Sequence, residues 1–159
     1  MEYLFQMKNT ARYFLSCATS EGTTGSAALD SARIEAGIGH LNLLDGCSLL
    51  PPGAELCEPQ PLPDAALVPA LIARISSEVP GEIISAAIAV AWPTDATRGG
   101  VAMAYAACGH KEDIEGIARR MAEEALQRRG QSVRSIQSTA AQHRVKQLGS
   151  ALAAVITIA

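Results

Sequence analysis

The sequence predicts an α+β fold, an αββα-type sandwich of mainly antiparallel strands with two covering helices. Short apolar runs bounded by glycine and proline recur along the chain, and two segments repeat their apolar residues at helical spacing. The resulting order β, α, β, β, β, β, α, β, β lacks the strict alternation of a parallel α/β protein. The 159 residues fit a single domain, 1–159, long enough to bury about two thirds of the surface of its unfolded chain.

The elements follow in order. Arg12 to Ala18 is an apolar run rich in strand formers, followed by the loop chemistry of Ser20-Glu-Gly-Thr-Thr-Gly25. From Ser26 the period becomes helical through Ala27, Ala28, Ser31, Ile34 and Glu35, with Gly37 and Gly39 as stops. Leu41 to Leu50 is apolar again and ends at Pro51-Pro52-Gly53, and Pro59, Pro61 and Pro63 mark an extended connection. Leu67 to Ser76, Glu82 to Trp92 and Gly100 to Cys108 are strand candidates. They contain too few polar residues for a solvated face, so both sides are expected to be covered. Lys111 to Arg129 is the clearest helix, with the stripe Ile114, Ile117, Ala118, Met121 and Ala125, acids in its first turns and Arg128 and Arg129 in its last. The pairs Arg119-Arg120 and Arg128-Arg129 read as a solvated face. Ser132 to Ala141 and Leu148 to Ala159 close the chain as strands.

Composition narrows the function classes. The chain is 48% apolar and 18% charged, against about 25% charged residues in an average protein. This excludes a disordered tail and a solvated coiled coil and suggests surface hidden between subunits; a high alanine count alone would also raise the apolar fraction. Aromatic residues make up 4%, so Ala, Leu, Ile and Val must fill the core. Thirteen basic against sixteen acidic residues give a net charge of −3, which argues against a nucleic-acid partner. Cys17, Cys47, Cys57 and Cys108 show no CxxC spacing and His40, His110 and His143 are scattered, so no metal site is spelled out. Reduced thiols in the cytoplasm are the expectation. The start Met1-Glu-Tyr-Leu-Phe-Gln has no sustained apolar run, which argues against a signal peptide. The apolar stretches fall short of the ~20 residues of a membrane span, so no membrane partner is expected.

One segment resists a purely structural reading. Gly37-Ile-Gly-His-Leu-Asn-Leu-Leu-Asp-Gly-Cys-Ser-Leu-Leu-Pro-Pro-Gly53 crowds glycines, an Asn, a Cys-Ser pair and a double proline onto one strand and its exit. Ala36-Gly-Ile-Gly-His-Leu-Asn-Leu-Leu, Cys47-Ser-Leu-Leu-Pro-Pro-Gly-Ala-Glu, Ala66-Leu-Val-Pro and Glu78-Val-Pro-Gly-Glu-Ile-Ile-Ser-Ala-Ala-Ile-Ala-Val-Ala occur in that order. Together they resemble the pyruvoyl-dependent arginine decarboxylases of archaea and some bacteria. The resemblance runs from about Thr10 to the C-terminus.

The resemblance implies a self-cleaving amino-acid decarboxylase that converts L-arginine to agmatine and CO2. Ser48 matches the serine whose hydroxyl attacks the preceding carbonyl, so Cys47–Ser48 would break into chains 1–47 and 48–159, with a pyruvoyl group made from Ser48. The ketone of that group takes up a substrate amine and accepts the electron pair released with CO2, without a metal. Asn42 matches an asparagine linked to self-processing, where its amide could polarise the attacked carbonyl; a turn-bonding Asn is the alternative. Asp30 matches the carboxylate that receives the substrate guanidinium; a surface acid paired with Arg33 at i,i+3 is the alternative. Gly39 and Leu41 would border the pocket. The family implies homotrimers, or dimers of trimers, with active sites at subunit seams.

Departures from the family concern the chemistry. Gly100-Val-Ala-Met-Ala-Tyr-Ala aligns with a strand that carries a proton-donating Glu in the family, and here that position is Ala104. Tyr105 points to the opposite face unless a bulge near Gly99-Gly100 shifts the strand. Glu82 reads as a turn-edge acid, Trp92 as a core or interface residue, and Cys17, Cys57 and Cys108 as small apolar fillers. Loss of a general acid costs ~10²–10⁴-fold in rate. Two alternatives therefore stand beside arginine: a pyruvoyl decarboxylase of another amino acid, and an impaired homologue acting as an oligomeric binding protein.

Overall fold

The structure, a computed structural model, describes residues 11–158; the start Met1–Gln6 and the final Ala159 read above lie outside the described residues. Nine strands and two helices follow one another as β1 (Arg12–Glu21), α1 (Gly25–Glu35), β2 (Asn42–Asp45), β3 (Leu49–Leu50), β4 (Glu55–Leu56), β5 (Leu67–Ser77), β6 (Ile83–Pro93), β7 (Gly100–Cys108), α2 (Lys111–Arg128), β8 (Val133–Arg144) and β9 (Gly149–Ile158). One sheet has the order β2-β5-β9-β1-β4 and the other β3-β7-β6-β8. The sheets stack face to face, with α1 on the outside of the first and α2 on the outside of the second. The predicted αββα sandwich is the observed one.

Period-two alternation divides each central strand between two cores. Ile84, Ala86, Ile88, Val90 and Trp92 of β6 meet Ala151, Ala153 and Val155 of β9 between the sheets. Ala87, Ala89 and Ala91 face Ile114, Ala118 and Ala122 of α2. Leu152, Ala154 and Ile156 of β9 pack under Ala32 of α1 with Phe14 and Ile72. The ring of Trp92 lies against Tyr13, centroids 5.6 Å apart, and its Nε1 donates to the Tyr13 hydroxyl at 2.9 Å. That hydroxyl donates in turn to Gln137 Oε1 at 2.9 Å, so the polar atoms of this Trp92–Tyr13 pair are satisfied.

Several expectations change. The run Leu41 to Leu50 is not one strand: β2 pairs with β5 in the first sheet and β3 with β7 in the second. The pairs β1–β4 and β2–β5 are parallel. Helix α1 starts a residue early, where the Thr24 side chain accepts from the Ala27 amide, and it buries Ala28 and Ala32 while Ile34 is 60% exposed. In α2 the buried stripe is Ile114, Ala118, Ala122, Ala125 and Leu126; Ile117 and Met121 are half-buried. Arg119 is not part of a solvated face, because its Nη1 donates to Ser138 Oγ at 2.7 Å on β8.

The sheets are tied together at one corner by Glu21. Its Oε1 accepts the Gln147 amide at 2.8 Å, and its Oε2 meets His143 Nε2 at 2.5 Å. The Gln147 amide first, and the His143 ring second, hold the Glu21 carboxyl at about 2, below its ordinary 4.5. A carboxylate lowered in the folded state stabilises it fully above the unfolded pKa, and that contribution is lost as pH falls through the folded value. Acidification from 4.5 toward about 2 should therefore weaken the native state, and Glu21→Gln should flatten that part of the curve in urea unfolding followed across the window. For the core, Ile88→Ala at a position fully buried between the sheets should lower unfolding stability by about 2–5 kcal/mol, read from the urea midpoint.

Candidate active site

The Cys47–Ser48 bond lies where the chain passes from one sheet to the other. The Cys47 amide donates to the Ala70 carbonyl on β5 at 3.0 Å, and the Ala102 amide on β7 donates to the Ser48 carbonyl at 2.7 Å. Between these anchors the chain turns. Gly46 has φ +95°, the left-handed region that glycine enters without steric cost. The Ser48 amide donates back to the Gly46 carbonyl at 3.0 Å, closing a three-residue turn centred on Cys47. Both Cys47 and Ser48 are half-buried. The peptide nitrogen of Ser48 is thus engaged locally, while its neighbours are pinned to different sheets.

The contacts of the sequence-predicted Asn42, Gly39 and Leu41 are elsewhere than at the Cys47–Ser48 bond. Asn42 begins β2 six residues earlier; its Nδ2 donates to the Ala65 carbonyl at 2.9 Å. Ala65 has φ +61°, so the Asn42 bond helps hold a strained residue of the neighbouring loop, and the second N–H of the amide is available to another acceptor. Asp30 is exposed on α1. Among the described residues no ion pair joins it to Arg33, whose Nε is buried without a hydrogen-bond partner. Gly39 lies against the end of α1, where a Cβ would come within 2.7 Å of Ile34 Cγ1. Leu41 packs at the edge of the core under α1.

Ala104 lies on the inter-sheet face of β7 together with Ala102 and Ala106. Two residues of strand, about 7 Å, separate it from the Ala102 amide that holds Ser48. The β6–β7 register runs without interruption from Ile84↔Cys108 to Ala91↔Val101, so no bulge turns Tyr105 inward; Tyr105 packs on the α2 side with Val101 and Met103. Glu82 is at the far end of β7, about 20 Å of strand from Ala102, and it accepts from Cys108 Sγ at 2.6 Å. That bond, more than burial, raises the Cys108 thiol above its usual range. Cys108 is exposed and polar in its contacts and is not the apolar filler expected; Cys17 and Cys57 are half-buried against the cores.

Sequence reasoning missed one residue at the crossover. Asp45, the last residue of β2, accepts the amides of Gly46 at 2.8 Å and Ile72 at 3.1 Å through Oδ1. Its signal was the Asp-Gly pair, which marks a turn inside the apolar run. Cavities of 410 Å³ beside Tyr13, Arg98 and Arg134 and of 530 Å³ beside Cys17, His110 and Gln142 lie elsewhere and do not touch Ser48. Among the described residues no cluster of three His, Cys, Asp or Glu side chains is placed to hold a metal ion, and no helix is long and apolar enough to cross a membrane.

Comparison with known proteins joins these observations. The family model described as pyruvoyl-dependent arginine decarboxylase matches residues 12–159. A protein of Methanocaldococcus jannaschii named pyruvoyl-dependent arginine decarboxylase is 42% identical over 150 residues, covering 94% of this chain and 90% of that protein. Proteins of the same name from Methanococcus maripaludis and Thermococcus kodakarensis are 36% identical over 150 residues and 34% over 148, covering 94% and 92% of this chain and 90% and 94% of their own lengths.

Proposed function

The chain belongs to the pyruvoyl-dependent arginine decarboxylase family, and from that premise we propose that it cuts itself between Cys47 and Ser48 and decarboxylates L-arginine to agmatine and CO2. One observation carries this reading: the Cys47–Ser48 bond is the turn between two sheets, with Cys47 tied to Ala70 and Ser48 to Ala102. Such a bond can be distorted and broken while both ends stay in register. The residues around it fit the family's cofactor, because the end created at position 48 remains held by β7.

The chemistry balances on this chain's own atoms. Ser48 Oγ adds to the Cys47 carbonyl carbon, the C–N bond breaks, and the hydroxyl proton passes to the Ser48 nitrogen, leaving an ester. Loss of the Ser48 Cα proton with cleavage of Cβ–Oγ frees the Cys47 carboxylate and leaves dehydroalanine. Water then replaces ammonia to give the pyruvoyl end. Once formed, that group supplies an electron sink for the pair released with CO2. Asn42 keeps a spare N–H, but the extended strand β2 sets it about 13 Å from Gly46, so a role for its amide at the attacked carbonyl requires β2 to move or a second copy of the chain to supply it. Asp30, unpaired with Arg33 among the described residues, offers two oxygens to a planar guanidinium. The seams of a homotrimer are where Gly39, Leu41 and Asp30 would meet the substrate.

Ala104 favours a second reading in which turnover is slow or directed to another amino acid. Ala102, Ala104 and Ala106 line the inter-sheet face of β7, and none can return a proton to the substrate carbon.

Intact mass spectrometry of the purified chain should show fragments 1–47 and 48–159, the larger lighter by one ammonia than a fragment beginning with serine. The pair should co-elute without denaturant, because β1 of the smaller fragment is paired along its length with β9 of the larger. Ser48→Ala should remain at full mass; an uncut wild-type chain would sink the proposal. CO2 release should be greatest with arginine in a panel that includes lysine, ornithine, aspartate and histidine. Ala104→Glu should raise arginine turnover by ~10²–10⁴-fold. No gain would assign the proton to another group, and silence on every substrate would favour a binding protein.

A further inference from the structure

We propose that Asp45 is the positioning residue for self-cleavage, an inference that rests on the cleavage reading above. Its carboxylate does the work of a missing strand residue. Strand β2 runs parallel to β5 as far as Asp45↔Ala70 and then leaves the sheet. The next inward amide of β5 on this side, Ile72 N–H, would lose its partner there. Asp45 Oδ1 takes that amide at 3.1 Å and the Gly46 amide at 2.8 Å, so one side-chain oxygen replaces the main chain at the last rung. Released from the ladder, Gly46 can enter φ +95° and Ser48 can bond back to the Gly46 carbonyl. Oδ2 lies 3.4 Å from Arg74 Nη1, and both side chains are well exposed, at 36% and 46%.

These distances rank the contributions. An exposed ion pair adds little, whereas hydrogen bonds from backbone amides to a carboxylate are strong and directional. Asp45 therefore acts through Oδ1 on the backbone of Gly46, and through Gly46 on the carbonyl that Ser48 attacks. Arg74 is a minor partner. Strand β2 contributes little to the core, since Asn42, Leu44 and Asp45 are exposed, so weakening the clamp should leave the fold intact.

The test compares self-cleavage rates of wild type, Asp45→Ala, Asp45→Asn and Arg74→Met in the full chain, together with thermal unfolding of each. Asp45→Ala should slow cleavage by ~10²-fold, the order of loss expected when a reacting group is misplaced by about 1 Å. Asp45→Asn keeps the Oδ1 acceptor and should cleave near the wild-type rate, as should Arg74→Met. Hydroxylamine, which cleaves an ester but not the peptide, should cut Asp45→Ala less than wild type, a readout that a general loss of stability would not give. A folded Asp45→Ala that cleaves at the wild-type rate overturns the proposal, and so does an Asp45→Asn as slow as Asp45→Ala. If Asp45→Ala does not fold, Asp45→Glu carries the test: its extra methylene displaces the oxygen, and wild-type cleavage in that variant also overturns it. A wild-type chain that stays at full mass overturns the cleavage reading itself, and this one with it.

Discussion

The architecture depends on two strands that are buried on both faces. All ten residues of β9 are buried, and in β6 only Ile83 is not. Each must offer apolar side chains in two directions, and alternation sorts them by size. Between the sheets β6 sets Ile84, Ile88 and Val90, large enough to fill the gap; toward α2 it sets Ala87, Ala89 and Ala91, small enough to admit the helix closely. The apolar area concentrated there, at roughly 25 cal/mol per Å² removed from water, drives the stacking of all four layers. The central strands are then committed to packing, and polar chemistry is left to the edges.

That division explains why the crossover is an edge feature. A central strand cannot leave its sheet without orphaning amides and carbonyls on both sides, and each buried orphan costs free energy. Strand β2 is an edge of one sheet and β3 an edge of the other, so the chain between them crosses with only one side of each ladder to satisfy. The Ala70 carbonyl, the Asp45 carboxylate and the Ala102 amide meet that requirement. A break between Cys47 and Ser48 removes none of these bonds. Segment 11–47 would stay in place through β1, which lies between β9 and β4, and through the packing of α1 on the first sheet.

What the residues disclose in advance follows the strength of their periodicity. Strands β5, β6 and β7 and helix α2 are legible because apolar residues recur over nine or more positions between clear stops. The division of Leu41 to Leu50 is not, because an apolar run does not say which sheet it joins; pairing with Leu67–Ala70 or with Gly100–Val101 is a tertiary fact. Strand β4 has two residues and owes its existence to β1. In α1 the apolar count pointed to Ile34, yet the sheet accepts only Ala28 and Ala32, since a small-residue face fits closest against β1 and β9. Ser48 and Cys47 could be singled out by order alone. The roles of Asp45 and of the loop at Ala65 depend on contacts across 27 and 23 residues, which no local pattern contains.

The alanines of β7 bear on only one of the two proposed chemistries. The proposed rearrangement at Ser48 needs a turn and a hydroxyl, and residues 45–48 with their backbone partners contain both. Protonation of a substrate carbon needs an acid whose position relative to the new end at residue 48 is fixed by strand register. The register from Ser48 through Ala102 to Ala104 is uninterrupted, and this relation of position 104 to residue 48 is what the proposed Ala104→Glu variant relies on. Tyr105 cannot replace it without reversing the pleat, which would drive Val101 and Met103 out of the α2 core. The proposed cleavage and the proposed turnover therefore draw on different elements: the first on the edge crossover at residues 45–48, the second on the inter-sheet face of β7.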